Sequence, residues 1–245
     1  MIAAELYKIK TQRTPYAVFG AMLAACLAPS LVLVFYTPST SDVYVQAFQL
    51  TYSVFAVLLA VVFGGWVLGT EYRQDTVKRM LTAEPRRMRN LWSKAAVGFA
   101  VLCSALTTVA LVGWSAAWLV GQMNDVGVEF IWQDLLAAGV MALVAAAMSF
   151  ALSALTRSDA FAMVATTGML LILDPLLSAI PRFGKYTLGS AMAVVSTEIE
   201  GLGSAVADPL PGSAQLGLGA AAVTVALWLA VLAGAGVARF ARSDV

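Results

Sequence analysis

The polar residues that could carry chemistry or bind a partner are concentrated in residues 69–94, which read GTEYRQDTVKRMLTAEPRRMRNLWSK. This segment holds seven of the 15 Lys and Arg residues of a chain that is 60% hydrophobic. The chain contains no His, which excludes His-based acid–base catalysis, Ser–His triads and His-ligated metals. Cys26 and Cys103 lie in apolar runs, where cysteine behaves as a small hydrophobe, and no disulfide or metal-binding pattern is visible. Residues 69–94 are therefore the first candidate for function.

The spacing within this segment predicts a short amphipathic helix. Val77, Met80 and Leu81 follow one another at i, i+3 and i+4, which places them on one helical face. Pro85 ends that helix, and a basic run follows it. Such a helix can insert its apolar face into a groove of a partner protein. The charge by itself is more typical of a loop that anchors the topology and contacts anionic lipid headgroups.

Asp174 is the one acidic residue inside a strongly apolar segment, LLILDPLLSAIPR. An ionisable residue at membrane depth is a candidate functional residue. Three structural roles compete with function: Asp174 could reach the membrane interface, cap the helix where Pro175 interrupts it, or pair with Arg182. We weigh a structural role above a functional one and keep Asp174 as a candidate.

The remaining sequence must supply the elements that position these residues. Only 12% of the residues are charged and the mean hydropathy is +0.83, so the natural solvent of the chain is lipid. Six apolar segments are long enough to cross the bilayer, and their residues do not alternate as barrel strands would. The sequence predicts an all-α, polytopic membrane protein of one domain, residues 1–245, with spanning helices at 16–36, 48–68, 95–120, 135–155, 160–177 and 216–237.

The charge distribution predicts the topology. With a cytoplasmic N-terminus, 13 Lys and Arg residues face the cytoplasm and 2 face outwards. Residues 1–14 form an amphipathic elbow helix, 69–94 a cytoplasmic loop and 178–215 an extracellular segment with a short helix or hairpin at the outer interface. The N-terminus does not have the pattern of a cleaved secretory signal. We expect a multi-pass protein of the cell membrane with both termini in the cytoplasm.

Residues 69–94 resemble the loop that follows the second spanning helix in permease subunits of type-2 ABC exporters. The pattern departs from the family at Asp75, where a Gly is usual. The N-terminal AAELYKIKTQR resembles the elbow helix of the family, and the C-terminal ARFARSDV resembles its usual ending. The residues that match the loop pattern in order are Glu71, Thr76, Met80, Leu81, Pro85, Arg86, Arg87 and Lys94.

The resemblance implies that this loop is a coupling helix that docks on a cytosolic ABC ATPase. Glu5 and Lys8 of the elbow helix would lie near the same ATPase. The chain has no G-x-x-x-x-G-K-[ST] motif, so ATP hydrolysis falls to a separate chain and this chain is not itself an enzyme. The implied coupling residues are Glu71, Thr76, Met80, Leu81, Pro85, Arg86 and Arg87.

The resemblance also implies the other partners. They are a second permease copy or a homologous permease, and the lipid bilayer, with no nucleic acid. The chain itself would hold no cofactor, because ATP and Mg²⁺ would bind to the ATPase. The cargo of such permeases is typically amphiphilic: a drug, an antibiotic, a peptide or a lipid-linked molecule.

Two other functions remain open from the sequence. A membrane scaffold or immunity protein that binds a partner without transport would show the same topology and the same basic loop. An intramembrane enzyme is disfavoured, because no pair of polar residues suited to catalysis lies at membrane depth.

Overall fold

The computed structural model describes residues 2–36, 40–74, 87–129, 132–180, 183–201 and 216–242. These residues contain no β-strand and form helices joined by short connections. The eight α-helices of the described residues are α1 (Ile2–Thr11), α2 (Arg13–Phe35), α3 (Ser41–Arg73), α4 (Arg87–Met123), α5 (Trp132–Thr156), α6 (Asp159–Ser178), α7 (Leu188–Gly201) and α8 (Leu218–Arg242).

Six of these helices, α2 to α6 and α8, are long and apolar enough to cross a membrane. This confirms the predicted all-helical fold with six apolar helices. The predicted spans marked only the apolar parts of the longest helices. Helix α3 has 33 residues and α4 has 37, so both continue beyond their apolar parts and bring polar residues to the end of the bundle.

Helix α3 is the centre of the bundle. Within its most apolar stretch 61% of the residues are buried, against 11% for α8. Helices in lipid gain little from hiding apolar surface, so close van der Waals packing of small residues holds them together. A Cβ added to Gly64 would lie 2.3 Å from the carbonyl oxygen of Ala146 in α5, and one added to Gly69 would lie 2.4 Å from Cβ of Asp159 in α6. Helix α3 therefore contacts α5 and α6 with no side chain between them.

Helix α6 continues through Pro175, where the sequence suggests an interruption. Its turn Met169–Leu173 is a π-helix, and Asp174–Ser178 returns to α-helix. Proline has no N–H and its ring clashes with the carbonyl four residues earlier. The wider π-helical turn just before Pro175 relieves this conflict without ending the helix.

The segment after α6 packs within the bundle. A 3₁₀ turn at Gly184–Tyr186 leads into α7. Leu188 and Met192, at the start of α7, belong to a buried cluster with Met148 of α5, and Val194 packs with Ala221 near the start of α8. Of the predicted outer segment 178–215, residues 202–215 lie outside the described residues.

We predict that Gly64→Ala lowers the free energy of unfolding by about 1–3 kcal/mol, because the new methyl group has no space beside the Ala146 carbonyl. Gly139→Ala is the matched control, since a Cβ at Gly139 meets nothing within 4 Å. The control should be neutral or stabilising by up to about 1 kcal/mol. Unfolding in mixed micelles with increasing denaturing detergent measures both variants. Equal effects of the two substitutions would contradict the close contact between α3 and α5.

Candidate functional site: a buried ion network beside residues 75–86

Four charged side chains from three helices meet at one end of the bundle. The Glu71 carboxylate of α3 accepts a hydrogen bond from the Lys8 ammonium of α1 at 3.0 Å. The Lys94 ammonium of α4 contacts the carboxylates of both Glu71 and Glu5. We call these residues, Glu5, Lys8, Glu71 and Lys94, the ion network. They alternate in charge and sum to zero.

Local structure explains why these four side chains can meet. Glu5 and Lys8 are three residues apart on α1, so they project from the same face of that helix. Glu71 lies in the last turn of α3, and Lys94 lies two turns into α4. These two helices flank residues 75–86, so the contact between Glu71 and Lys94 joins the two ends of that segment.

The ion network is withdrawn from solvent. Lys94 is only 1% exposed and Glu71 only 7% exposed. A buried charge needs partners, because desolvation costs several kcal/mol per ion and is offset only by close opposite charge. Lys8 also lies over the ring of buried Trp66, at 5.6 Å from its centroid, where a cation–π interaction adds to its contact with Glu71. The charges therefore hold α1 against α3 and α4.

A second ion pair joins α3 to α6 at the same end. The Arg73 guanidinium contacts the carboxylate of buried Asp159 at 3.1 Å. The hydroxyl of Ser158 accepts a hydrogen bond from the N–H of Phe161 at 3.3 Å and so caps the first turn of α6. This pair lies beside the glycine contact between α3 and α6, so two different interactions fix the same pair of helices.

The structure brings together three of the residues singled out in the sequence, Glu5, Lys8 and Glu71. These side chains face one another and Lys94 inside the protein. Arg87 begins α4, but its side chain is not described. The other implied coupling residues, Thr76, Met80, Leu81, Pro85 and Arg86, lie outside the described residues.

Asp174 is buried and caps the helix that follows its own. Its Oδ1 accepts a hydrogen bond from the N–H of Gly189 in the first turn of α7, at 2.8 Å. A Cβ at Gly189 would lie 2.0 Å from Oδ2 of Asp174, so only glycine permits this approach. Thr187 supplies a second cap, because its hydroxyl accepts from the N–H of Ser190. The sequence analysis considered two other roles for Asp174, a cap where Pro175 interrupts the helix and an ion pair with Arg182. Arg182 lies outside the described residues.

Sequence reasoning missed several partners in this region. Lys94 was noted only as part of a family pattern, and Asp159 was not singled out. The available signals were a lysine directly before a long apolar run and a Ser-Asp pair before another apolar run. Asn90, one turn before Lys94, is also buried, and its amide has no hydrogen-bond partner among the described residues.

The arrangement is suited to transmitting movement. Among the described residues, no group of three or more Cys, Asp or Glu side chains could hold a metal ion. The buried carboxylates of Glu71, Asp159 and Asp174 are each engaged by a cation or a backbone N–H. The site therefore consists of helix ends that are joined by buried charges.

We predict that Lys94→Met lowers the free energy of unfolding by about 3–5 kcal/mol, because buried Glu71 and half-buried Glu5 lose their shared cation. Trypsin should also cleave α1 faster in this variant. Lys10→Met on the exposed side of α1 is the control and should change the free energy by less than about 0.5 kcal/mol. If the two variants were equally stable, the ion network would not hold α1.

We predict that Asp174→Ala destabilises α7 by about 1 kcal/mol, because the N–H of Gly189 loses its acceptor. Amide exchange across residues 188–201 should then be about fivefold faster. Asp174→Asn keeps an acceptor oxygen and should change the exchange rate much less. Unchanged exchange in the alanine variant would show that Asp174 does not secure α7.

The ion network lies within the part of the chain that matches a known family. A family model described as ABC-2 family transporter protein matches residues 1–173, from α1 to the π-helical turn of α6. A comparison with curated proteins found no match. The match covers well over half of the chain and agrees with six apolar helices and no strand among the described residues. The chain therefore belongs to the ABC-2 transporter family and is a multi-pass membrane permease.

Proposed function

We propose that this permease is the membrane subunit of an ABC exporter, and that a separate cytosolic ABC ATPase drives it. The observation that carries the proposal is the ion network at the two helix ends that flank residues 75–86. The family match supports the permease part of the proposal. ATP and Mg²⁺ would bind to the ATPase, because this sequence has no phosphate-binding loop.

The proposed contact with the ATPase is made by residues 75–86. The sequence pattern there predicts a short helix with an apolar face and flanking basic residues. A helix of this kind binds a groove through its apolar face, while its charges set its orientation. Arg86 and the residues around it would therefore make the contact.

Glu71 has a different role in this proposal. Because Glu71 is buried among Lys8 and Lys94, it transmits movement and does not touch the ATPase. A push on residues 75–86 would reach α3 and α4 together, and the ion network would carry α1 with them. The glycine contacts of α3 would pass the same movement to α5 and α6 as a rigid-body shift.

The proposed cargo is amphiphilic. A cavity of about 390 Å³ lies between α4 and α5, with Tyr52 of α3 among its lining residues. Its walls are mostly aliphatic, and polar atoms come from Tyr52, Cys103 and Thr107. Such walls suit hydrocarbon with few polar groups. Two permease copies, or this chain with a homologous permease, would enclose the transport path.

The basic residues support the proposed cytoplasmic placement of both termini. The ion network and the Arg73–Asp159 pair lie at the same end of the bundle as the start of α1. A concentration of Lys and Arg at one end is typical of the cytoplasmic side. The ATPase would dock at this end.

We predict that Arg86→Glu lowers recovery of the ATPase with the solubilised permease by at least about tenfold, because an arginine at the centre of a docking surface contributes strongly to binding. Glu71→Gln should keep the ATPase bound but lose ATP-driven transport, since it removes a buried charge away from the contact. Pull-down from native membranes followed by partner identification measures the first effect, and transport in proteoliposomes measures the second.

Arg13→Glu is the matched control, because Arg13 is an exposed basic residue at the start of α2. It should leave ATPase recovery unchanged. Loss of the ATPase with Arg13→Glu as well would reduce the contact to general charge attraction. Recovery of the wild-type permease without any ATPase would contradict the proposal and favour a membrane scaffold.

A further inference from the structure

A small apolar cavity lies between α4, α5 and α8. Its volume is about 150 Å³. Leu91 and Trp92 of α4, Ala154 of α5, and Ala233 and Val237 of α8 are among its lining residues. These residues come from the end of the bundle that carries the basic side chains.

The cavity exists because α8 touches α5 closely at one point and leaves space beside it. A Cβ at Gly236 would lie 2.8 Å from the carbonyl oxygen of Ala151. Ala233, one turn earlier, and Trp92, across the cavity, are both exposed. The opening therefore faces the surroundings of the bundle, which are hydrocarbon for a membrane-spanning helix. Apolar walls without partner atoms lose van der Waals contacts, so this space favours a hydrocarbon chain.

Two arginines lie close in the chain to residues that line this cavity. Arg157 lies three residues after Ala154, and Arg239 lies two residues after Val237. Both arginines therefore adjoin the same end of the cavity. Both arginines are exposed, and neither has a carboxylate partner among the described residues. In this they differ from Arg73 nearby, which pairs with Asp159.

The backbone fixes the position of Arg157. This residue directly follows α5 with a φ of 59°, in the left-handed region, and its N–H donates to the carbonyl of Ser153. This conformation is a common way to end a helix, although glycine or asparagine is more usual there. Arg157 is therefore held in the turn that follows the cavity residue Ala154.

We propose that this cavity and these two arginines form a binding site for an anionic phospholipid. One hydrocarbon chain lies between Leu91, Ala154 and Val237, and the phosphate lies against Arg157 and Arg239. Guanidinium groups bind phosphate oxygens through paired, charge-assisted hydrogen bonds. Basic sites between spanning helices are suited to anionic headgroups. The proposal requires a membrane-spanning bundle but no ATPase, so it can fail or succeed separately from the proposed function.

Native mass spectrometry of the detergent-purified protein tests the site with phosphatidylglycerol and phosphatidylcholine as probes. We expect the wild type to retain phosphatidylglycerol in preference to phosphatidylcholine. Replacing Arg157 and Arg239 by Gln should lower phosphatidylglycerol retention about fivefold for each guanidinium removed. Replacing both by Lys keeps the charge but not the paired hydrogen bonds, so retention should fall between that of the wild type and that of the Gln variant, which separates loss of charge from misfolding.

Two matched pairs complete the test. Ala233→Phe fills the cavity and should lower phosphatidylglycerol retention, whereas Ala235→Phe, at an exposed position of α8 outside the cavity lining, should not. Arg13→Gln removes an exposed charge from α2 and should leave retention unchanged. Equal retention of the two lipids would overturn the proposal. So would a loss with Arg13→Gln as large as with the double arginine variant, or no effect of Ala233→Phe.

Discussion

The Lys94 ammonium is buried and contacts the carboxylates of both Glu5 and Glu71. The arrangement of this end of the bundle depends on these two contacts. A charge in such surroundings cannot lose a partner without a cost of several kcal/mol. Lys8 supplies the second cation and makes the set neutral. These ion pairs join α1, α3 and α4, and separating one of these helix ends from the others would break at least one of them.

A different interaction carries this constraint deeper into the bundle. Gly64 and Gly69 let α3 contact α5 and α6 directly, where any side chain would hold the helices apart. Charges thus join α1, α3 and α4 beside residues 75–86, and close packing joins α3 to α5 and α6. In the proposed exporter, a push on residues 75–86 would become a common movement of α1 and the core helices. The proposed anionic lipid site is lined in part by α4 and would contact the same moving helices.

Hydropathy predicted the six apolar helices, because each segment shows by its own length and composition that it can cross a bilayer. Contacts between segments could not be predicted from the sequence in the same way. The partners of Lys94 are 23 and 89 residues away in the sequence, and no local pattern connects them. Asp174 drew attention as an intramembrane acid, but its role at the start of α7 depends on where Gly189 lies in three dimensions. Pro175 suggested a helix end, but a π-helical turn before it relieves the conflict that the proline creates, and the helix continues.

The most direct test of the account is whether α1 and α4 move as one unit. Spin labels at Tyr7 and Ala96, which are both exposed, would report the distance between these helices in the permease reconstituted with the proposed ATPase, with Cys26 and Cys103 replaced. The account predicts that this distance stays the same when ATP binds, while the distance between Ala96 in the two permease copies changes. A change in the distance from Tyr7 to Ala96 on ATP binding would show that the ion network opens, and would contradict the account.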